Sequence, residues 1–124
     1  MEKIESAKAP AAVGPYSQAI STGQLVFLSG QLGIKQATGT MEEGLEAQTR
    51  QAFTNITHVL AAANLTLENI VKVTVFLTDI NDFAAVNAIY AEQFSQPYPA
   101  RSAFQVSALP MGGLVEIEVI ASRD

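Results

Sequence analysis

Two runs late in the sequence alternate with a period of two, the mark of strands that present different residues to their two faces. In residues 100–106, Phe104 and Val106 point one way, and Arg101, Ala103 and Gln105 the other. In residues 115–121, Val115, Ile117 and Val119 point one way, and Glu116, Glu118 and Ile120 the other. Leu109-Pro110-Met111-Gly112-Gly113 between them supplies turn residues, so the two runs are expected to pair as a hairpin. One face of that hairpin would be apolar. The other would carry an arginine and two carboxylates, and charge on the inner part of a sheet needs a reason.

The rest of the chain alternates between strand and helix periods. Residues 1–15, broken by Pro10, Gly14 and Pro15, read as an extended arm with room for one short strand. Residues 16–22 and 25–29 read as strands joined through Thr22-Gly23-Gln24. Ser29-Gly30-Gln31-Leu32-Gly33 follows, with two glycines where backbone can approach a ligand closely. Thr40 and Glu43 have capping-box spacing ahead of a helix that runs to about Ala63. Its apolar stripe is Leu45, Phe53, Ile56, Leu60 and Ala63, widened by Ala52 and Val59. Asn64 is a suitable left-handed stop. Residues 70–78 are β-branched and alternating, and form the clearest strand. A second helix over 83–94, capped by Asp79 or Asn81, turns Phe83, Val86, Ile89, Tyr90 and Phe94 inward. Helices that follow strands pack on one sheet face. The opposite face, assigned Arg101, Glu116 and Glu118, would be uncovered in a lone chain and too apolar for water, which points to a symmetric oligomer with ligand sites in its clefts.

Composition sharpens this picture. The 124 residues suit one domain, 1–124, with a real core. A hydrophobic content of 48% against 15% charged is more apolar than one small core needs, which again points to burial against other subunits. A net charge of -5 argues against nucleic acid and anionic membrane surfaces. With no cysteine and one histidine, His58, neither a disulfide framework nor a Cys or His metal cluster can be built, and no metal is expected. No apolar run approaches a membrane span and no signal peptide is visible, so the expected location is the cytoplasm.

Among candidate functional groups, Arg101 can act as a surface ion-pair partner or as a guanidinium fork for a small carboxylate. Glu116 can be a solvated strand residue or a general base that positions water. In a hairpin turning at Pro110 and Met111, Glu116 lies opposite Gln105, roughly 13 Å of strand from Arg101. The two heads would then meet through a substrate or across a subunit boundary. Tyr16 is either a packing aromatic or a cleft hydroxyl, and Asn87 sits at a helix edge where it could donate to a ligand. Ser29-Gly30 lacks both the nucleophile elbow and a histidine partner of a serine hydrolase. No dinucleotide, nucleotide or metal fingerprint occurs, and no cofactor is expected.

The segment Pro99-Ala100-Arg101-Ser102-Ala103-Phe104, followed by Leu109 and Val115-Glu116-Ile117, resembles the YjgF/RidA family. The likeness extends over essentially the whole chain, through Ala9-Pro10, Gly14-Pro15-Tyr16-Ser17-Gln18-Ala19, Ser29-Gly30-Gln31, Val71-Lys72-Val73-Thr74-Val75-Phe76-Leu77, and Asp79-Ile80-Asn81-Asp82-Phe83 with Val86-Asn87. It implies a chorismate-mutase-like α+β fold: a mixed sheet with two helices on one face, assembled as a homotrimer with sheets inside and sites between subunits. It further implies hydrolysis of reactive enamine and imine acids (2-iminobutanoate, 2-iminopropanoate) to 2-oxo acids and ammonia. By the same likeness Arg101 would hold the substrate carboxylate and Glu116 would orient the attacking water. Tyr16, Ser29, Gly30 and Asn87 would line the pocket, with main-chain groups at Ser102 and Ala103. Many members carry cysteine where this chain has Ala103; a role for that residue's carbonyl survives the change, and a role for its thiol does not. The alternatives are a non-catalytic module binding small carboxylates such as 2-oxo acids, and a translation-inhibiting ribonuclease, which the acidic balance disfavours.

Overall fold

The computed structural model describes residues 1–124. Its elements are β1 (Glu2–Ile4), β2 (Ala19–Thr22), β3 (Leu25–Leu28), β4 (Gln31–Leu32), α1 (Leu45–Ala62), β5 (Ile70–Leu77), α2 (Phe83–Gln93), β6 (Ala100–Gln105) and β7 (Val115–Ser122). One mixed sheet runs in the order β1-β2-β3-β7-β5-β6, with β4 extending the β3 side against β7. All neighbours are antiparallel except β5 and β6, which are parallel.

Both helices pack on one face. Val73, Val75, Leu77, Val115, Ile117 and Val119, all at most 2% exposed, meet Phe53, Ile56, Leu60 and Val86 in a single core. The stripe expected on α1 is the buried one, with Leu45 at its margin, and Asn64 stops the helix at a φ of 62°. Three polar side chains of α1 are also buried. Asn55 donates through Nδ2 to the carbonyls of Leu32 (3.1 Å) and Ile34 (2.9 Å), and Gln48 bonds the carbonyl of Glu42 and the N–H of Leu114. Thr49 returns its hydroxyl to the carbonyl of Leu45. The bonds of Asn55, and that of Gln48 to Glu42, satisfy backbone carbonyls of β4 and its following loop, and so fix the segment just after Gly30.

Several sequence expectations are corrected. The capping box at Thr40 and Glu43 does not form. Met41 instead bridges Ile34, Glu42 donates its N–H to the carbonyl of Gly33, and α1 begins at Leu45 after Gly44 turns the chain at a φ of 89°. Asp79 caps a short 3-10 turn, Ile80–Asp82, rather than α2 itself. The strand expected from residue 16 begins at Ala19, where the ladders to β1 and β3 start; Gln18 just ahead of it bonds Ser6 and Pro10 of the amino-terminal arm.

The largest correction concerns the proposed hairpin. β6 does not pair with β7; β5 lies between them, parallel to β6 and antiparallel to β7. Alternation identifies a strand but not its partner. A strand that follows a crossover helix returns parallel, so α2 carries β6 to the outer side of β5. The faces change with the pairing. Arg101 lies across from Val73, on the helix-covered face, and Ala103 across from Val75. Phe104, expected inside, lies across from Phe76 on the open face, where it is 45% exposed and packs edge-on against that ring at 5.3 Å. The open face is otherwise as expected for β7: Glu116, Glu118 and Ile120 point out of the core. It also bears Phe27, which with Leu25 is exposed on β3.

Candidate active site

The side chain of Arg101 is held by α2. Phe83, Asn87 and Tyr90 recur at helical spacing and so share one stripe of that helix. Asn87 Oδ1 accepts a 2.6 Å hydrogen bond from Arg101 Nη1. The guanidinium carbon lies 4.6 Å from the centre of the Tyr90 ring and 5.1 Å from that of Phe83. Both separations are within cation–π range. Asn87 takes one N–H, which leaves others of the guanidinium fork for a ligand. Beside it opens a cavity of about 420 Å³ lined by Asn87, Tyr90, Ala91, Tyr98, Pro99 and Arg101. Burial pushes the Tyr90 phenol up, and the Arg101 charge opposes that shift. Its hydroxyl is buried with no hydrogen-bonding partner in the chain.

Glu116 belongs to a second cluster. It sits on β7 between Phe76 of β5 and Leu32 of β4. Burial, with a smaller contribution from the charge of Glu118, holds its carboxyl above the ordinary carboxylate range. Gly30 lies against it: a Cβ there would come within 2.9 Å of Glu116 Cδ. The backbone of Gly30 thus approaches a side chain of the same chain, and that of Gly33 approaches the backbone of Gln48 in α1. Ser29 donates its hydroxyl to the carbonyl of Ser17 at 2.6 Å and its N–H to the carbonyl of Gln18 at 2.9 Å, which ties the Tyr16–Ser17 segment to the turn at Gly30. Tyr16 is 52% exposed. A cavity of about 430 Å³ on the open face includes Ser17, Ser29, Lys72, Thr74 and Glu118 in its lining, but not Glu116.

Within one chain the two clusters do not meet. Arg101 and Glu116 lie two strands apart, and the register Val73–Arg101 and Phe76–Glu116 sets them three residues apart along β5. The strand spacings place their Cα atoms ~14 Å apart. Their side chains also leave opposite faces of the sheet. The expectation that they share a face is therefore overturned, while their separation along the sheet agrees with the expectation that the two heads do not pair directly within one subunit. Ser102 lies on the open face across from Thr74, while Ala103 turns toward the core. Because β6 is the sheet edge, half of its main-chain polar groups have no strand partner. No three His, Cys, Asp or Glu side chains gather as a metal site requires. The aromatic support under Arg101 escaped the sequence reading: Phe83 and Tyr90 were visible as inward residues, but only the position of β6 shows that Arg101 lies over them.

A two-layer α+β domain, with an edge arginine clamped by a helix and a half-buried glutamate on its open sheet face, is the fold expected of the YjgF/RidA family. The chain belongs to that family: the model described as endoribonuclease L-PSP matches residues 6–123. It is 52% identical over 119 residues to the goat (Capra hircus) protein named 2-iminobutanoate/2-iminopropanoate deaminase, spanning 95% of this chain and 87% of that one. It is 48% identical over 122 residues to the Arabidopsis thaliana protein named Reactive Intermediate Deaminase A, chloroplastic, spanning 98% of this chain and 65% of that one. Among solved structures, RidA from the Antarctic bacterium Psychrobacter superposes with a TM-score of 0.96 at 49% identity, covering 98% of this chain and 99% of the other. TdcF of Escherichia coli, solved with bound serine, does so with a TM-score of 0.95 at 40% identity over the full length of both chains.

Proposed function

We propose that the protein hydrolyses short 2-imino and 2-enamino acids, such as 2-iminobutanoate and 2-iminopropanoate, to 2-oxo acids and ammonia. The observation that carries this reading is the fixed guanidinium of Arg101 with unused N–H groups beside an open cavity. Such a fork suits the carboxylate that every substrate of this class bears. The names of relatives at 45–52% identity support the same reaction.

The chemistry asks little of the protein. Arg101 binds the carboxylate, which fixes the C=N carbon. Water adds to that carbon, its oxygen forming the new C–O bond while the C=N pair moves to nitrogen. Glu116 takes the proton that water loses and then delivers it to nitrogen. The proton of the new hydroxyl then passes by the same carboxylate to nitrogen as the C–N bond breaks and C=O forms, and ammonia leaves. Positioning and one proton shuttle carry the acceleration, and a Glu with a raised pKa is matched to both halves of the transfer. The turn at Gly30 keeps the shuttle close to bare backbone, and Tyr16, Ser29 and the edge groups of Ser102 and Ala103 complete the lining in this reading.

Arg101 and Glu116 leave opposite sheet faces, so the active unit in this proposal is a homotrimer in which Arg101 of one subunit faces Glu116 of the next. The apolar open face, with Phe27, Phe76 and Phe104, is the surface buried between subunits. The test generates imine in place from threonine and threonine dehydratase and follows its loss by semicarbazide trapping. The expected result is acceleration by the wild type, with about 100-fold or greater loss in Arg101→Ala, the scale of a lost charged anchor in a desolvated site. Full activity in Arg101→Ala refutes the reading. The family model's description favours a second reading, RNA cleavage; the net charge of -5 weighs against it, and RNA incubated with the protein is expected to stay intact.

A further inference from the structure

We propose that Tyr90, together with Phe83, is a positioning residue for carboxylate binding: the two rings form an aromatic cradle that holds the Arg101 guanidinium in the orientation in which its unused N–H groups face the cavity. The inference rests on the functional reading above and adds to it a specific support for the anion-binding arginine.

Four observations converge on it. Arg101 emerges from an edge strand, where one side has no neighbouring strand to pack the long side chain. An unsupported arginine there would sample many rotamers and would have to lose that freedom on binding. The rings remove the freedom in advance. At 4.6 and 5.1 Å both lie within reach of the cation, and Asn87 at 2.6 Å fixes the rotation that the rings leave open. The rings are themselves fixed. Tyr90 is 6% exposed and packs edge-on to Phe53 at 6.1 Å and against Phe94 at 4.7 Å, so the cradle is anchored through the core to α1. Finally, the Tyr90 hydroxyl makes no hydrogen bond within the chain although it is buried. The ring contacts with Arg101, Phe53 and Phe94 do not use that hydroxyl, so the cradle predicts that Phe and Leu behave differently at this position.

The experiment compares wild type, Tyr90→Phe, Tyr90→Leu and Phe83→Leu in two measurements: imine hydrolysis, and calorimetric binding of 2-oxobutanoate. Tyr90→Leu and Phe83→Leu are expected to raise KM, and the Kd for 2-oxobutanoate, by about tenfold, the size of a partly desolvated cation–π contact. Their kcat values should stay within about threefold of wild type, because the cradle acts on carboxylate binding. Tyr90→Phe keeps the ring and should restore wild-type KM with a melting temperature no lower than wild type. Unchanged KM and Kd in both leucine variants overturn the proposal. So does a rise in Tyr90→Phe equal to that in Tyr90→Leu, which would assign the effect to the hydroxyl. If Tyr90→Leu does not fold, Phe83→Leu decides, since its ring is only partly buried. A wild type that binds 2-oxobutanoate but hydrolyses no imine defeats the deaminase reading alone, and the Kd values then decide the cradle; a wild type that binds no 2-oxo acid defeats both.

Discussion

Subunit mixing turns the placement of Arg101 and Glu116 into a number. Take two inactive variants, Arg101→Ala and Glu116→Gln, and assemble them together at equal amounts by co-expression or by refolding from a mixture. In the proposed trimer each site takes Arg101 from one subunit and Glu116 from its neighbour. A site is intact only if the first chain is the Glu116→Gln variant and the second is the Arg101→Ala variant. With random assembly each condition holds half the time, so about one quarter of the sites are complete, whatever the size of a closed ring. The mixture should recover about 25% of wild-type turnover per site, although each variant alone is near zero. If both heads belonged to a site within one subunit, no mixture could recover anything. The register makes that outcome unphysical, since two strands, three residues and opposite faces separate the residues. The assay is imine loss by semicarbazide trapping, with assembly checked by solution mass. Recovery indistinguishable from the separate variants, in verified mixed oligomers, would refute the reasoning.

Two further predictions concern pH and packing. Glu116 must be deprotonated to accept a proton from water; since burial, and to a lesser degree the charge of Glu118, raise its folded pKa above the ordinary value, kcat/KM should fall as pH is lowered, with a midpoint above that of an ordinary glutamate, and the residual activity of Glu116→Gln should lack that acid limb. An identical limb in the variant would remove Glu116 from the step. Gly33→Ala would place its Cβ 2.4 Å from the Cα of Gln48, backbone that α1 cannot readily move; chemical denaturation should show a loss of about 3 kcal/mol or failure to fold, and a loss under about 0.5 kcal/mol would show that α1 is not seated as described.

The elements themselves were largely readable because local rules governed them. The alternation of 70–77 and 115–122, the stripe of α1 and the left-handed Asn64 each depend on residues close in sequence. Partner choice was not readable, because nothing within 100–105 distinguishes β5 from β7 as a neighbour. That error propagated to the site: a strand's parity fixes which residues share a face, but the partner decides which face is covered. Arg101 and Glu116 were found as residue types, while their separation, and the α2 stripe under the arginine, depended on a crossover. The capping-box signal at Thr40 was overridden by the Ile34–Met41 bridge, a contact that no local pattern announces.

β7 lies near the middle of the sheet, between β3 with β4 on one side and β5 on the other, although it follows all of them in sequence. Synthesis releases strands in chain order, so the amino-terminal meander and the β5–α2–β6 unit leave the ribosome as two pieces with no strand pairing between them. Only when residues 115–122 emerge can a wedge enter and join the halves. Until then the unpaired edges of both pieces are open to wrong partners, so the carboxy-terminal strand is the one whose arrival closes the aggregation-prone interval of folding.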